Sequence, residues 1–502
     1  MFKKQFFSIV FWKSLVYLLG ILSLLIVTPH LTSKPTIFGI YAFCSSITIF
    51  FSYADLGFIT AARKFAAEFV AKKQLKAEIA VTSFSCLVFL LCCFPLSIGI
   101  FYFSYYPHYL IKGITEAEII IAADLLRILA FSFPILILQR IIQVIYSVRF
   151  ADHIVFKFEI INIALRLISI YYFFSPGNYK IVEYFLFYNV LNLINIIALG
   201  YLTTKKFDYN VRYFFKAFRF RKSIYNKVSR LAFNSLFVSL AWLLFFEIDL
   251  VLITYLAGAA ATAQYAIAFN VASILRNVLS TLYYPLTVKF NHLVVSGKEA
   301  LSSFFYLVIK LGSYLLIPGI VVLVLFSKAL IISWLGNKFE QSVIITQLLV
   351  FSYIFYPLST PIGSLLTTKL KMNILYANSV IYIAIQYLGL WIFYKSVDSG
   401  VLLALLKILC AGTGCMVLVN WLIKYLYMTR FTFFYKVFAL PISLSLLFSI
   451  ISYLPLQQVK ESKNYVSLFS YSFLMVLSYI SIVGLLVLFD KSFRTAISKL
   501  LK

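Results

Sequence analysis

Apolar residues run along this chain in long blocks separated by short polar stretches where Lys and Arg collect. A helix of about 20 apolar residues crosses a hydrocarbon core of about 30 Å, so each block predicts a membrane span. The blocks fall at 8–28, 36–60, 79–103, 118–138, 154–174, 181–202, 231–256, 262–288, 303–326, 342–367, 373–394, 399–424, 434–455 and 465–489. The pattern predicts an all-α integral membrane protein with about 14 transmembrane helices. The first block follows Lys3 and Lys4 without a small-residue cleavage site, so it is expected to remain as the first span.

The blocks repeat. Shifting the first half by about 224 residues lays the block from 79 on that from 303, and the block from 118 on that from 342. Pro95 falls on Pro318, Pro134 on Pro357 and Tyr41 on Tyr265. Proline survives in a membrane helix where neighbours satisfy the freed carbonyl, so matched prolines predict matched broken helices. An offset of six spans keeps orientation, which predicts two parallel six-helix lobes related by an axis along the membrane normal, plus two C-terminal helices. The expected divisions are 1–204 for the first lobe, 205–230 for a cytoplasmic basic linker, 231–430 for the second lobe, and 431–502 for the last two spans and tail.

Composition leaves no room for a sizeable soluble domain: 63% of residues are hydrophobic, 12% are charged and the mean hydropathy is +0.96. The net charge of +27 is unevenly placed. With the N-terminus inside, thirty Lys and Arg face the cytoplasm, eight face out and six lie within spans, which predicts both termini in the cytoplasm. The largest basic block, 205–230, sets Arg219, Arg221 and Lys222 among Phe214, Phe215, Phe218 and Phe220. Held between two spans, it is expected on anionic inner-leaflet lipids and not on nucleic acid. The six cysteines sit in apolar blocks without metal-ligand spacing, and the four histidines are scattered, so no metal or other cofactor is expected.

Lys13, Arg127, Arg166, Arg276, Lys310 and Lys407 lie inside the apolar blocks. A charge at that depth is costly and marks a polar pathway or a partner. Arg276 is 11 residues from Tyr265, about 20° away in helical projection, with Ser273 and Ser280 alongside. It either faces cargo or snorkels, and no acid lies within its own turn. Lys310 aligns with Tyr306, Ser313 and Tyr314, again without an acidic neighbour. Arg127 and Arg166 can touch cargo or pair with Asp124 and Glu159 on their own helices. Lys13 and Lys407 lie nearer span ends and can snorkel. On a continuous helix, Tyr41, Ser45, Thr48, Ser52, Asp55 and Arg63 form one polar stripe about 80° wide. Asp249 shares a face with Ser235, Ser239 and Trp242, while Glu247 projects away. Asp249 could take a cation or pair with Arg276.

Two stretches carry a family resemblance: Asp55-Leu-Gly-Phe-Ile-Thr-Ala-Ala-Arg-Lys-Phe, and Glu247-Ile-Asp-Leu-Val-Leu-Ile through Gly258 to Gln264-Tyr-Ala-Ile-Ala. A weaker match is Trp334-Leu-Gly-Asn-Lys-Phe. They resemble the polysaccharide and lipid-linked oligosaccharide flippases, O-antigen translocases among them, of the multidrug/oligosaccharidyl-lipid/polysaccharide exporter superfamily. The resemblance implies a multi-pass protein of the bacterial cytoplasmic (inner) membrane. It implies alternating access, with a lipid-linked sugar turned from the inner to the outer leaflet, and polysaccharide polymerase and glycosyltransferases as partners. The cargo site is then expected at Arg276, Lys310, Arg127, Arg166, Ser52 and Tyr265, with coupling or gating at Asp55, Arg63 and Asp249.

Arginine suits a diphosphate because its fork donates two parallel hydrogen bonds and stays charged. A flippase for the peptidoglycan lipid precursor would use the same chemistry. A drug or cation antiporter of the superfamily would share the fold but favour an acidic cavity. A membrane polysaccharide polymerase would be an enzyme, yet no acid pair, activated nucleophile or metal cluster is visible, so no catalytic residues are expected.

Overall fold

A computed structural model describes residues 2–53, 55, 57–296, 298–369, 371–426, 441–443, 445 and 465–489. Every element among them is helical. The chain divides into two compact units, Met1–Ala263 and Gln264–Lys502.

The first unit contains α1 (Phe2–Leu31), α2 (Pro35–Tyr53), α3 (Phe58–Ala71), α4 (Leu75–Phe103), α5 (Glu116–Ser147), α6 (Asp152–Phe173), α7 (Ile181–Phe207), α8 (Val211–Lys216), α9 (Lys222–Trp242) and the start of α10 (Asp249–Ser296). Its main core joins Ile40, Phe43 and Cys44 of α2 to Phe89 and Cys93 of α4 and Leu125, Leu126 and Leu129 of α5. A second core sets Phe58, Ala61, Ala62 and Phe65 of α3 against Val81 and Phe84 of α4 and Val228 and Ala232 of α9.

The second unit contains the rest of α10, then α11 (Lys298–Leu335), α12 (Glu340–Ser352), α13 (Tyr356–Thr368), α14 (Met372–Phe393), α15 (Ser399–Leu426) and α16 (Tyr465–Phe489). Phe305, Ile309 and Ile317 of α11 pack with Ile362, Leu365 and Leu366 of α13 and Leu418 and Leu422 of α15. Leu311, Tyr314, Val322 and Phe326 of α11 hold α16 through Ile482 and Leu486.

Packing follows one order twice. In the first unit α4 packs on α5, α5 on α7 and α6 on α7; in the second, α11 packs on α12, α12 on α15 and α14 on α15. Pro95 lies inside α4 and Pro318 inside α11. Pro134 lies inside the unbroken α5, whereas its counterpart Pro357 opens α13 after a 3-10 turn at Tyr353–Phe355. The expectation of matched breaks fails for that pair, because the second copy also carries Pro361 within the next turn.

Among the described residues, ten segments are long and apolar enough to cross a membrane, one of them the 62-residue run Lys222–Tyr283. Pro35–Phe51 is a shorter apolar helix. Helix α6 lies outside that set because it carries Asp152, Lys157, Glu159 and Arg166. The expected span at 434–455 and the tail after 489 lie outside the described residues, apart from 441–443 and 445; helices occupy the other expected spans, with breaks after Tyr53 in 36–60 and at Tyr353–Phe355 in 342–367. The basic stretch 205–230 is largely folded: α7 runs on to Phe207, and Phe214, Ala217 and Val228 are buried. Ser83 donates to the Phe214 carbonyl at 2.7 Å, fixing α8 on α4.

Candidate functional site

Within the first unit, α5, α6 and α7 line a partly open cavity of about 110 Å³, with Asn162 and Asn192 buried at its floor and Glu159 exposed at its rim. Helix α5 lines it with Gln139 and Gln143, α6 with Glu159, Asn162 and Arg166, and α7 with Tyr188, Asn192 and Asn195. Spacings of three, four and seven put each set on one helix face, so three otherwise apolar helices turn polar stripes toward a common space. Asn162 Nδ2 donates to Asn192 Oδ1 at 2.9 Å, tying α6 to α7. The Arg166 guanidinium lies over the Tyr188 ring, 4.4 Å from its centroid, with Tyr41 and Tyr184 close by. Arg166 Nε and Asn162 Oδ1 have no hydrogen-bond partner among the described residues.

The expected same-helix pairs separate here. Asp124 accepts from Arg127 at 3.0 Å, and the pair is partly exposed, with Arg127 also over the Tyr105 ring. Glu159 and Arg166 line one cavity but form no ion pair. Lys13 is exposed beside Tyr17.

Among the described residues, the second unit buries three cations. Arg276 is 8% exposed, Lys310 7% and Lys407 5%. Arg276 approaches the Phe269 ring at 6.0 Å and lies near Tyr356. Helix α10 is unbroken from Tyr265 to Arg276, as the projection requires, and Tyr265 is fully buried. Ser273 and Ser280 donate to carbonyls of their own helix, those of Asn270 and Asn277. Lys310 lies over the Tyr314 ring at 5.2 Å, one turn from buried Ser313, whose hydroxyl has no partner. The Tyr306 side chain lies outside the described residues. Lys407 does not snorkel: its ammonium donates to Gln386 Oε1 at 3.3 Å.

The polar stripe drawn through Asp55 and Arg63 does not exist as one face. Helix α2 ends at Tyr53 and α3 begins at Phe58, so only Tyr41, Ser45 and Thr48 keep the assumed phase, and the Ser52 side chain lies outside the described residues. Asp55 accounts for the break. Its carboxylate accepts from the Gly57 and Ile59 N–H groups at 3.2 and 2.9 Å, capping α3. Gly57 has φ +76, and a Cβ there would strike the Ala232 carbonyl. Arg63 is exposed on α3. A π turn at Leu243–Glu247 likewise shifts the phase between Ser235–Trp242 and Asp249, so their shared face fails as well. Asp249 and Glu247 are both buried.

The motifs prove to be joints. Gly258 has φ +83, and Ala259 N–H meets the Lys112 carbonyl there, while Thr254 and Thr262 share a 2.8 Å hydrogen bond across the break. Gln264 donates to the Lys338 carbonyl at 2.7 Å and accepts from the Ser342 hydroxyl at 2.7 Å, joining the second motif to the segment after Trp334. Sequence reasoning missed the carboxamides at Gln139, Gln143, Asn162, Asn192 and Asn195. Their helical spacing carries the signal, but carboxamides add no charge to mark the face.

No curated protein matches this chain. Among solved structures it is similar to the lipid II flippase MurJ in an inward closed conformation, with TM-score 0.70 and 13% identity over 95% of this chain and 98% of that one. It is also similar to an inward-facing multidrug resistance MATE family transporter of the MOP superfamily, with TM-score 0.67 and 12% identity over 83% and 96%. An outward-facing MATE structure gives TM-score 0.54 at 13% identity over 82% and 94%. The family model described as polysaccharide biosynthesis protein matches residues 2–286, more than half of the chain. The chain therefore belongs to the polysaccharide biosynthesis protein family and has the helical fold shared by MurJ and the MATE transporters.

Proposed function

We propose that this protein is a flippase that carries a polyprenyl-diphosphate-linked oligosaccharide from the inner to the outer leaflet for surface polysaccharide assembly. The observation that carries the reading is the burial of Arg276 and Lys310 among apolar helices, where a cation must be met by polar groups or by anionic cargo. Family membership and the transporter fold support transport over catalysis. A diphosphate head needs a solvated cationic cleft while its prenyl tail stays in lipid. Arg276 supplies the fork and Lys310 a second charge, and Arg166 the corresponding cation in the first unit. Arg127 is the weaker candidate because Asp124 already holds it. Tyr265 shares the Arg276 face of α10, and Asp55 beside the α2–α3 break, Arg63 on α3 and Asp249 after the π turn would move in alternating access.

In this reading both termini and 205–230 lie in the cytoplasm of a bacterial inner membrane. Exposed Arg219, Phe220, Lys222 and Phe215 would rest on anionic lipids there. Residues 1–204 and 231–430 would act as the two lobes. Glycosyltransferases would supply the cargo and a polymerase would consume it. The similarity to a lipid II flippase over nearly the whole chain favours, as a second reading, the peptidoglycan precursor as cargo. Deletion of the gene decides between them: loss of surface polysaccharide with intact cell wall supports the first, and lysis with normal polysaccharide supports the second.

A further inference from the structure

The cavity between α5, α6 and α7 differs from the other buried polar sites in its hydrogen-bonding set. Gln139, Gln143, Asn162, Asn192 and Asn195 contribute five neutral carboxamides, each with one acceptor oxygen and two donors. Glu159 and Arg166 add one charge of each sign, so the site carries no net formal charge. Such groups are costly at membrane depth unless they are satisfied. Two atoms are not: Asn162 Oδ1 is an acceptor without a donor, and Arg166 Nε is a donor without an acceptor. A volume of about 110 Å³ far exceeds the about 10–15 Å³ that one water needs, leaving room for a ring-sized polar group.

A ring bearing several hydroxyls meets these terms. Each hydroxyl donates once and accepts twice, so it can serve either half of a carboxamide. Adjacent hydroxyls match the C=O and NH2 pair of a carboxamide. A bare cation would instead meet the positive charge of Arg166. Among the described residues no group of three His, Cys, Asp or Glu side chains could hold a metal ion.

We propose that this cavity is a saccharide subsite, in which the carboxamides and Glu159 hydrogen-bond one sugar ring of the transported head group. The inference rests on the reading of the cargo as a lipid-linked saccharide and adds the place where its sugar is recognised. Charge then holds the diphosphate, and neutral hydrogen bonds select the glycan.

The full-length protein in lipid nanodiscs tests this by saturation-transfer NMR with the methyl glycosides of glucose, galactose, N-acetylglucosamine and glucuronic acid. At least one should bind, and Asn162→Leu/Asn192→Leu should weaken it at least tenfold. That double variant keeps the branched skeleton but is bulkier and breaks the α6–α7 tie, so Gln139→Ala, which leaves the tie intact and adds no bulk, should weaken binding in the same direction. Binding of none of the glycosides, or binding unchanged in both variants, would overturn the subsite. Stabilisation by sodium over choline chloride, lost in the variants and without glycoside binding, would make it a cation site instead. Export by complemented cells separates the two readings. Full export with either variant removes the subsite and leaves the flippase reading standing, whereas normal surface polysaccharide in the deletion strain removes the surface-polysaccharide reading itself.

Discussion

Arg149, just beyond α5, grips Glu78 at the start of α4 through two hydrogen bonds, Nη1 to Oε1 at 2.6 Å and Nη2 to Oε2 at 2.7 Å. The Glu78 side chain is 1% exposed and that of Arg149 13%. Arg149 also donates to the Ile145 carbonyl and stacks over Phe207, so one side chain ties α4, α5 and α7 together. Neither residue lies deep within a predicted apolar block, and a survey of buried charges by hydropathy passes over both.

Removing one partner should be worse than removing both. Arg149→Ala leaves a buried carboxylate uncompensated, at a cost of about 3–5 kcal/mol, whereas replacing both ends with apolar groups is often neutral. Thermal unfolding in detergent, followed by intrinsic fluorescence, should show a large loss for Arg149→Ala and substantial recovery in Glu78→Leu/Arg149→Met. Equal losses in both variants would show that the pair is not what holds this corner.

Gly258→Ala should be poorly tolerated. The backbone there, φ 83 and ψ −177, belongs to a region that glycine alone adopts freely, at about 1–3 kcal/mol for other residues, and the new Cβ would lie 2.6 Å from the Lys112 carbonyl. Gly200→Ala in α7 meets nothing within 4 Å and is the control. The recovery of monodisperse protein on size exclusion should fall for the first and not for the second.

Hydropathy located most of the helices because burial in lipid demands long apolar runs, and it found them without knowledge of packing. It did not see where helices stop, because a joint is made by backbone chemistry in one or two residues. Asp55 and Gly57 were visible as letters of a motif, but their work is a capped turn, and a projection drawn through that turn placed Arg63 on a face it does not share. Gln264 and Ser342 are 78 residues apart, so only the fold brings them together. Arg166 was legible as a buried cation. The carboxamides around it were not, because a search for charge passes over neutral groups whose spacing of three and four is nonetheless that of a helix face.

Topology is checked by cysteine labelling in intact cells. Asn178→Cys, in the exposed turn between α6 and α7, should react with a membrane-impermeant maleimide. Ser223→Cys, exposed near the start of α9, should react only after permeabilisation, because the Lys and Arg imbalance predicts that 205–230 lies inside. The reverse pattern would invert the orientation and with it the direction of transport.

Arg276 gives the most direct test of the flippase reading. A lost charge-assisted hydrogen bond costs about 1.5–3 kcal/mol, at least tenfold in binding. Lysine restores the charge but not the fork. The measurement is surface-polysaccharide display in a deletion strain complemented with each variant at matched membrane levels. Display should be abolished with Arg276→Ala, partly restored with Arg276→Lys and reduced less with Lys310→Ala. Full display with Arg276→Ala would contradict the account.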